Sequence, residues 1–408
     1  RTWAFTTYRL KPQMRTVGPK YGRLLGKIGQ TLSSLDGNEV VDAFTRGEDI
    51  AFDTQNARSP NAAIRIGGPG LLEIEAGHSL DLGTSEGIVT RGDLDNPALP
   101  KGGADIHIAA GVRGGVDYDG AIQRLMAAIQ AGIDARGELD AATLWQARWL
   151  TGDETLDGAA SALAAVRHVS TLPDVERRGM VRTMLFTALR DTGRDRNDPA
   201  SEFAGDYSRG YRTIELLFPG VDQIDALGRS VNYPGEGNLY ASRLKTERGG
   251  DVEFLVPGGQ AVIGLAQLAA NLMPPGANVL GMVAVEEGAV RGFAREDVLV
   301  NQSRILTVGG GDILLWSSEA DIDAGKGKRT ATTVPPPIIK IDASGNVTVE
   351  LQGVATGSGI GALSGQPGIV PGDVDLIAPK GVVNAGDAGI RAGNLNIELQ
   401  KALNPGEG

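Results

Sequence analysis

From about residue 40 to 117, apolar and polar residues alternate with a period of two in short runs. Phe52, Ile64, Ile66, Leu72, Ile74, Leu80, Leu82, Ile106 and Ile108 carry the alternation, and glycine or proline bounds the runs. That pattern predicts short strands. In LLEIEAGHSLDLG, Leu72 with Ile74 and Leu80 with Leu82 face one way. The period then changes. Ile122, Leu125, Met126, Ile129 and Ile133 fall at i, i+3, i+4, i+7 and i+11, one face of a helix. Leu144, Trp145, Ala147, Arg148, Trp149 and Leu150 form a second helical stretch. DVERRGMVRTMLFTALRDTG predicts a third, with Asp174 as its N-cap and Gly193 as its stop. YSRGYRTIELLFPG closes this region at Pro219-Gly220.

Beyond about residue 233 the strand pattern returns with a recurring unit of glycine, then Asp or Asn, then alternating apolar residues. It occurs at Gly250-Asp251, Gly311-Asp312, Gly345-Asn346, Gly372-Asp373 and Gly393-Asn394, with an earlier copy at Gly103-Ala104-Asp105. Asp251 to Asp312 and Asp312 to Asp373 are both 61 residues, and Asp373 to Asn394 is 21. A period near 20, counted three times, accounts for 61 and marks a solenoid. It places Asp251, Asp312 and Asp373 at equivalent corners three coils apart. Asn346 falls off this register, so an insertion is expected nearby, at the polar, proline-rich TATTVPPP. Glycine suits the corners because it reaches φ > 0 cheaply, and Asp and Asn tolerate it. The expected fold is mainly β: a right-handed parallel β-helix with an α-helical insertion. The expected organisation is a basic extended arm (1–39), a first β-helix part (40–117), the helical insertion (118–232) and a second β-helix part (233–408).

Composition sharpens this picture. Aromatic residues are only 5% of the chain, while glycine numbers 59, which suits many short strands and tight turns. The net charge is −11, which disfavours general nucleic-acid binding, since phosphate neutralisation needs clustered Lys and Arg. Seven basic residues (Arg1, Arg9, Lys11, Arg15, Lys20, Arg23 and Lys27) precede the first acid, Asp36. Removing that +7 leaves −18 on the remainder. The arm is a solvated basic segment or one that contacts an anionic surface. Absence of cysteine excludes disulfides and thiol catalysis, and suits a chain that crosses an oxidising periplasm unfolded. No apolar run is long enough to span a membrane as a helix. The chain begins at Arg1 without a signal peptide and is expected to be a processed part of something longer.

DVLVNQSRILTVGGGDILLWSSEADIDAGKG (297–327), GSGIG (357–361) and PGDVDLIAPKGVVNAGDAGIRAGNLNIE (371–398) resemble the C-terminal region of filamentous-haemagglutinin-family proteins, large bacterial exoproteins exported by two-partner secretion. The resemblance is strongest over 297–398, weaker over 40–296, and poor over 1–35. It implies a right-handed β-helix, export through a dedicated outer-membrane pore partner, and surface display for adhesion or cell-cell contact. It supplies no catalytic residues and no cofactor.

The remaining motifs bear on catalytic and metal chemistry. His78, His107 and His168 are far apart, with no acid or second His at metal-ligand spacing on a helix. His107, between Ile106 and Ile108, is expected to point to solvent. Asp93/Asp95, Asp321/Asp323 and Asp373/Asp375 are i, i+2 pairs that share a strand face, as β-helix polysaccharide-cleaving enzymes require. In an acidic, turn-rich solenoid such pairs are also expected as solvent-facing corner residues. Lys326, Lys328 and Arg329 follow Asp321/Asp323 closely and would suit an acidic sugar. Gly357-Ser358-Gly359-Ile360-Gly361 has the wrong spacing for a dinucleotide site, and Gly325-Lys326-Gly327-Lys328 lacks the upstream glycine of a phosphate loop; both read as loops. Arg91-Gly92-Asp93 is an integrin-type tripeptide of a kind that recurs by chance.

The leading expectation is therefore a non-enzymatic segment of a secreted surface adhesin, with no catalytic, cofactor-binding or metal residues. Its partners would be the outer-membrane secretion pore and a cell-surface receptor or glycan, with self-association and without nucleic acid. The alternatives are a β-helix polysaccharide lyase or hydrolase, and a structural surface-layer or matrix component.

Overall fold

The computed structural model describes residues 6–10, 50–51, 63–83, 85–92, 102–266, 280–326, 331–333, 338–341, 347–350, 354–356, 358–364 and 368–399. The chain divides into two compact units, residues 1–114 with 233–408, and residues 115–232.

The first unit is built around three parallel sheets among the described residues. The first sheet has eight strands and the other two have seven each. Successive strands visit the three sheets in strict rotation. Val252–Val256 lies in the first sheet, Ala261–Val262 in the second and Gly281–Val285 in the third, and Val290–Ala294 returns to the first. Each circuit thus lays one strand on the equivalent strand of the circuit before, at the ~4.8 Å spacing of hydrogen-bonded strands. In the first sheet Val252 pairs with Ile106, Val290 with Val252, Ile313 with Val290, Val374 with Ile313 and Leu395 with Val374. Thr6–Leu10, inside the stretch expected as a basic arm, pairs in parallel with Gly70–Ile74. In the third sheet Ile64, Ile88, Leu244, Met282, Ile305 and Ile360 form one column. Except for Leu395 at the end of the first column, which is exposed, these aliphatic columns, with Leu72, Ile74, Leu80 and Leu82, belong to one buried core. Full burial of each such side chain is worth roughly 1.5–3 kcal/mol.

The register corrects the expected count of circuits. Asp251 and Asp312 are two circuits apart, since Val290 intervenes, and Asp312 and Asp373 are one apart. The remaining length leaves the sheets in two antiparallel pairs, Ala331–Thr333 with Val354–Thr356 and Ile338–Ile341 with Val347–Glu350. This is the insertion expected at TATTVPPP. The Gly345 copy of the repeat leads into this excursion, where Val347–Glu350 is antiparallel; Gly345 and Asn346 lie outside the described residues. Gly359–Leu363, which overlaps the expected loop at Gly357–Gly361, is a strand of the third sheet.

Glycine has two separate duties at the corners. Behind the second sheet, Gly83, Tyr240, Asn301, Gly325 and Gly386 occupy one equivalent position, all with φ between 49° and 95°. Glycine and asparagine suit this left-handed conformation, and only Tyr240 bears the strain of a bulky side chain. Before the first sheet the requirement is space. A Cβ on Gly250 would lie 2.7 Å from the Ala104 carbonyl oxygen. On Gly288, Gly311, Gly372 and Gly393 it would lie closer still to the carbonyls of Gly250, Gly288, Gly311 and Pro371. None of these last four glycines has a left-handed φ, so close approach of stacked backbones accounts for them.

The second unit contains α1 (Tyr118–Arg136), α2 (Ala141–Thr151), α3 (Ala159–Ser170), α4 (Asp174–Asn197) and α5 (Ser208–Leu217). Asp117 and Asp140 cap α1 and α2 by accepting the N–H groups of Gly120 and Thr143, and Gly137 and Gly152 end those helices in left-handed conformations. Ile122, Leu125 and Ile129 are buried as their spacing predicts. In α4 the N-cap is Pro173 and Asp174 lies in the first turn, where its charge favours the helix dipole. Gly193 does not stop this helix; it is buried within it, and α4 continues to Asn197.

Gly311→Ala should destabilise the β unit by about 1–3 kcal/mol through overpacking. Gly102→Ala, where a Cβ meets nothing within 4 Å, should stay within about 0.5 kcal/mol of the parent. Urea unfolding followed by circular dichroism measures both.

Candidate functional site

The recurring aspartates form hydrogen-bonded ladders along the corners. Asp105 Oδ1 accepts the N–H of Asp251 at 2.8 Å, Asp251 Oδ1 that of Ala289 at 2.9 Å, and Asp312 Oδ1 that of Asp373 at 2.8 Å. A second ladder runs from Asp297 to the Asp321 N–H (2.9 Å) and from Asp321 to the Val382 N–H (2.8 Å). Each carboxylate satisfies a backbone donor of the following circuit. In the last described circuit asparagine takes over: Asn394 Nδ2 donates to Asp373 (2.7 Å), Asn396 Nδ2 to Asp375 (2.9 Å) and Asn384 Nδ2 to Asp323 (3.4 Å). An amide donor beneath a carboxylate avoids placing two like charges one strand spacing apart.

The candidate pairs Asp321/Asp323 and Asp373/Asp375 both belong to this scaffold. Asp323 also accepts the Gly325 N–H at 2.7 Å. Asp375 is buried at 1% exposure, which corrects the expectation of a solvent-facing residue. Asp93 and Asp95 lie outside the described residues, as do Lys328 and Arg329; Lys326 is exposed. Arg91, the first residue of the integrin-type tripeptide, is bound by Glu247 at 2.8 Å.

The outward face of the first sheet holds polar residues that the sequence reading did not bring together. Glu73, His107, Glu253 and Arg291 follow one another in register on adjacent strands. His107 is fully buried, and Glu73 and Glu75 are buried to within 2%. His107 therefore does not point to solvent; its Nδ1 lies 3.3 Å from Glu253 Oε2. Arg291 bridges Glu253 at 3.2 Å and also contacts Asp251. Burial pushes the Arg291 guanidinium down, and the charges of Asp251 and Glu253 outweigh it and hold it above its ordinary value. The available signal was the alternation itself, which puts Glu73 and Glu75 opposite the core residues Leu72 and Ile74. Sequence alone does not say that the outer face is buried.

The other two histidines form no joint site with His107. His78 Nδ1 lies 3.3 Å from Ser79 Oγ, and that hydroxyl accepts the Glu236 N–H at 3.1 Å. His168 is exposed on α3. Among the described residues, no three His, Asp or Glu side chains gather as a metal site, and no helix is long and apolar enough to cross a membrane.

In the helical unit the polar centre is Arg209. Its side chain is 1% exposed and pairs with Asp195. The guanidinium sits 3.6 Å over the Phe203 ring, with Trp149 at 5.4 Å and Trp145 at 5.8 Å. Trp145 and Trp149, which the sequence places on one helical stretch, thus serve as π-faces around a buried cation.

The first unit is a protein of the repeated parallel-strand class, with its recurrent carboxylates committed to its own backbone. Residues 310–407 match a family model described as filamentous haemagglutinin family outer membrane protein, a span of just under a quarter of the chain. No curated protein and no solved structure matches the chain.

Arg209→Ala should destabilise the helical unit by about 3 kcal/mol, through the cavity left beside Phe203 and the tryptophans and the lost pairing with the partly exposed Asp195, read by thermal denaturation against Arg209→Lys. Asp140 gives a pH dependence. Burial pushes its carboxyl up, but Arg212 and the hydroxyl and N–H of Thr143 outweigh this and hold it at about 2, below its ordinary 3.8. A lowered folded-state value means its contribution is present above about pH 4 and lost as pH falls towards 2. Asp140 is largely solvated, so the contribution is under about 1 kcal/mol. Asp140→Asn should lower the melting temperature at pH 7 and leave it nearly unchanged at pH 2.

Proposed function

We propose that this chain is a non-enzymatic segment of a large secreted bacterial adhesin of the filamentous haemagglutinin type. In this reading the three parallel sheets wind as a right-handed β-helix interrupted by the helical unit. The chain is exported by two-partner secretion through an outer-membrane pore, displayed at the cell surface, and acts in adhesion or cell-cell contact through a receptor or glycan. The family match over 310–407 supports the class, and the strict rotation of strands among three sheets supports the solenoid. Stacked circuits each bury apolar surface on the circuit before. Folding outside the cell is thus favourable at every step and helps draw the chain outward.

The observation that carries the non-enzymatic reading is the use of the recurrent carboxylates. A glycoside-cleaving site needs two carboxyl groups disposed about a bound sugar. Asp321 and Asp323 instead accept backbone N–H groups of Val382 and Gly325.

Two measurements test the reading. The purified chain should release no products from acidic or neutral polysaccharides, and Asp323→Ala should leave that result unchanged. Labelled chain should bind cell surfaces or immobilised glycans saturably. Cleavage abolished by Asp323→Ala would establish the enzyme instead; self-assembly without surface binding would favour a matrix component.

A further inference from the structure

The turn that follows α5 in the helical unit is densely cross-bonded, yet it exposes apolar side chains. Phe218 and Val221 are buried at its base, as is Ser230. Ile224 and Ser230 form an antiparallel bridge. The Asp225 N–H donates to the Arg229 carbonyl at 2.8 Å, and the Val231 N–H to the Gln223 carbonyl at 2.8 Å. Asp225 Oδ1 accepts the N–H groups of Leu227 (2.8 Å) and Arg229 (3.0 Å), while its Oδ2 holds the Arg229 guanidinium at 2.8 Å. Asn232 Nδ2 closes the base on the Gly220 carbonyl at 3.0 Å.

This network holds outward Leu227, 76% exposed, with Ile224 and Val231 each 52% exposed. Half of the six large hydrophobic side chains exposed among the described residues fall in these eight positions. A turn that only connected two elements would need neither the cross-bonding nor the aliphatic tip. Aliphatic side chains pre-ordered on a rigid support are what an interaction anchor requires, because little entropy is lost on docking.

Charge selects the occupant. Arg229 is already matched by Asp225, whereas Asp222 and Glu215 are exposed acids beside the turn. The surround is therefore negative, which repels an anionic lipid surface. The chain's net charge of −11 likewise disfavours a second copy as the occupant of an acidic surround. We propose that this turn is a docking knob that inserts Leu227, flanked by Ile224 and Val231, into an apolar groove edged by basic side chains on a partner protein. The proposal stands independently of the adhesin reading.

The probe is a helical peptide of leucine and lysine repeats, titrated against the full chain by fluorescence anisotropy. A leucine-glutamine peptide and vesicles of phosphatidylcholine or phosphatidylglycerol form the other arms. The leucine-lysine peptide should bind. Leu227→Ser and Ile224→Ser should each weaken it about tenfold without moving the melting temperature, since both side chains are exposed. Asp222→Lys should weaken it as well, and the leucine-glutamine peptide should bind less tightly. Absence of binding, binding indifferent to Leu227→Ser, equal binding of the two peptides, or Leu227-dependent binding to either vesicle overturns the proposal.

Discussion

The β unit depends on how closely one circuit of backbone can lie on the next. At the corner before the first sheet, a carbonyl of the preceding circuit occupies the space that a Cβ on each glycine would need. This contact lets the chain turn from the third sheet into the first without opening the stack. Register follows from it, and register puts every aliphatic column over its like. One residue on, the aspartates accept N–H groups that the turning backbone leaves without a strand partner. Buried or half-buried donors of this kind are costly unless satisfied. Glycine and aspartate are therefore two halves of one corner, the first making room and the second completing the hydrogen bonding.

That pairing bears directly on function. Regularly spaced carboxylates on a parallel-strand scaffold invite a catalytic interpretation, yet here their oxygens accept scaffold donors circuit after circuit. The substitution of Asn384, Asn394 and Asn396 for aspartate in the last described circuit obeys the same electrostatic logic. The polar row on the outer face of the first sheet is different in kind. Glu73, His107, Glu253 and Arg291 stack in register, Glu73 and His107 are removed from water, and Glu253 faces both His107 and Arg291, so the Glu253–Arg291 pair helps offset desolvation there.

The helical unit follows other rules. Its α1, α2 and α5 pack conventional apolar faces, but its centre is a guanidinium enclosed by Phe203, Trp149, Trp145 and Asp195. The turn after α5 uses a hydrogen-bond network to hold aliphatic residues in solvent. Rigidity serves burial in the first case and presentation in the second.

Local pattern was sufficient for the strands, the helices and the change between them, because periods of two and 3.6 depend only on which face is apolar. The Gly-Asp corner was legible for the same reason, since a corner repeats its chemistry wherever it recurs. The number of circuits between corners was not legible. Sixty-one residues fit three short circuits as well as two of unequal length, or one carrying the 331–356 excursion, and only strand pairing distinguishes them. The candidate carboxylates could be named from sequence, but their use as backbone acceptors depends on the circuit that follows each of them in space. His107 illustrates the same limit: alternation placed it opposite the core, and whether that outer face meets water is decided by tertiary packing. Arg209 and its rings, gathered from separate segments of the helical unit, were likewise invisible until the helices packed.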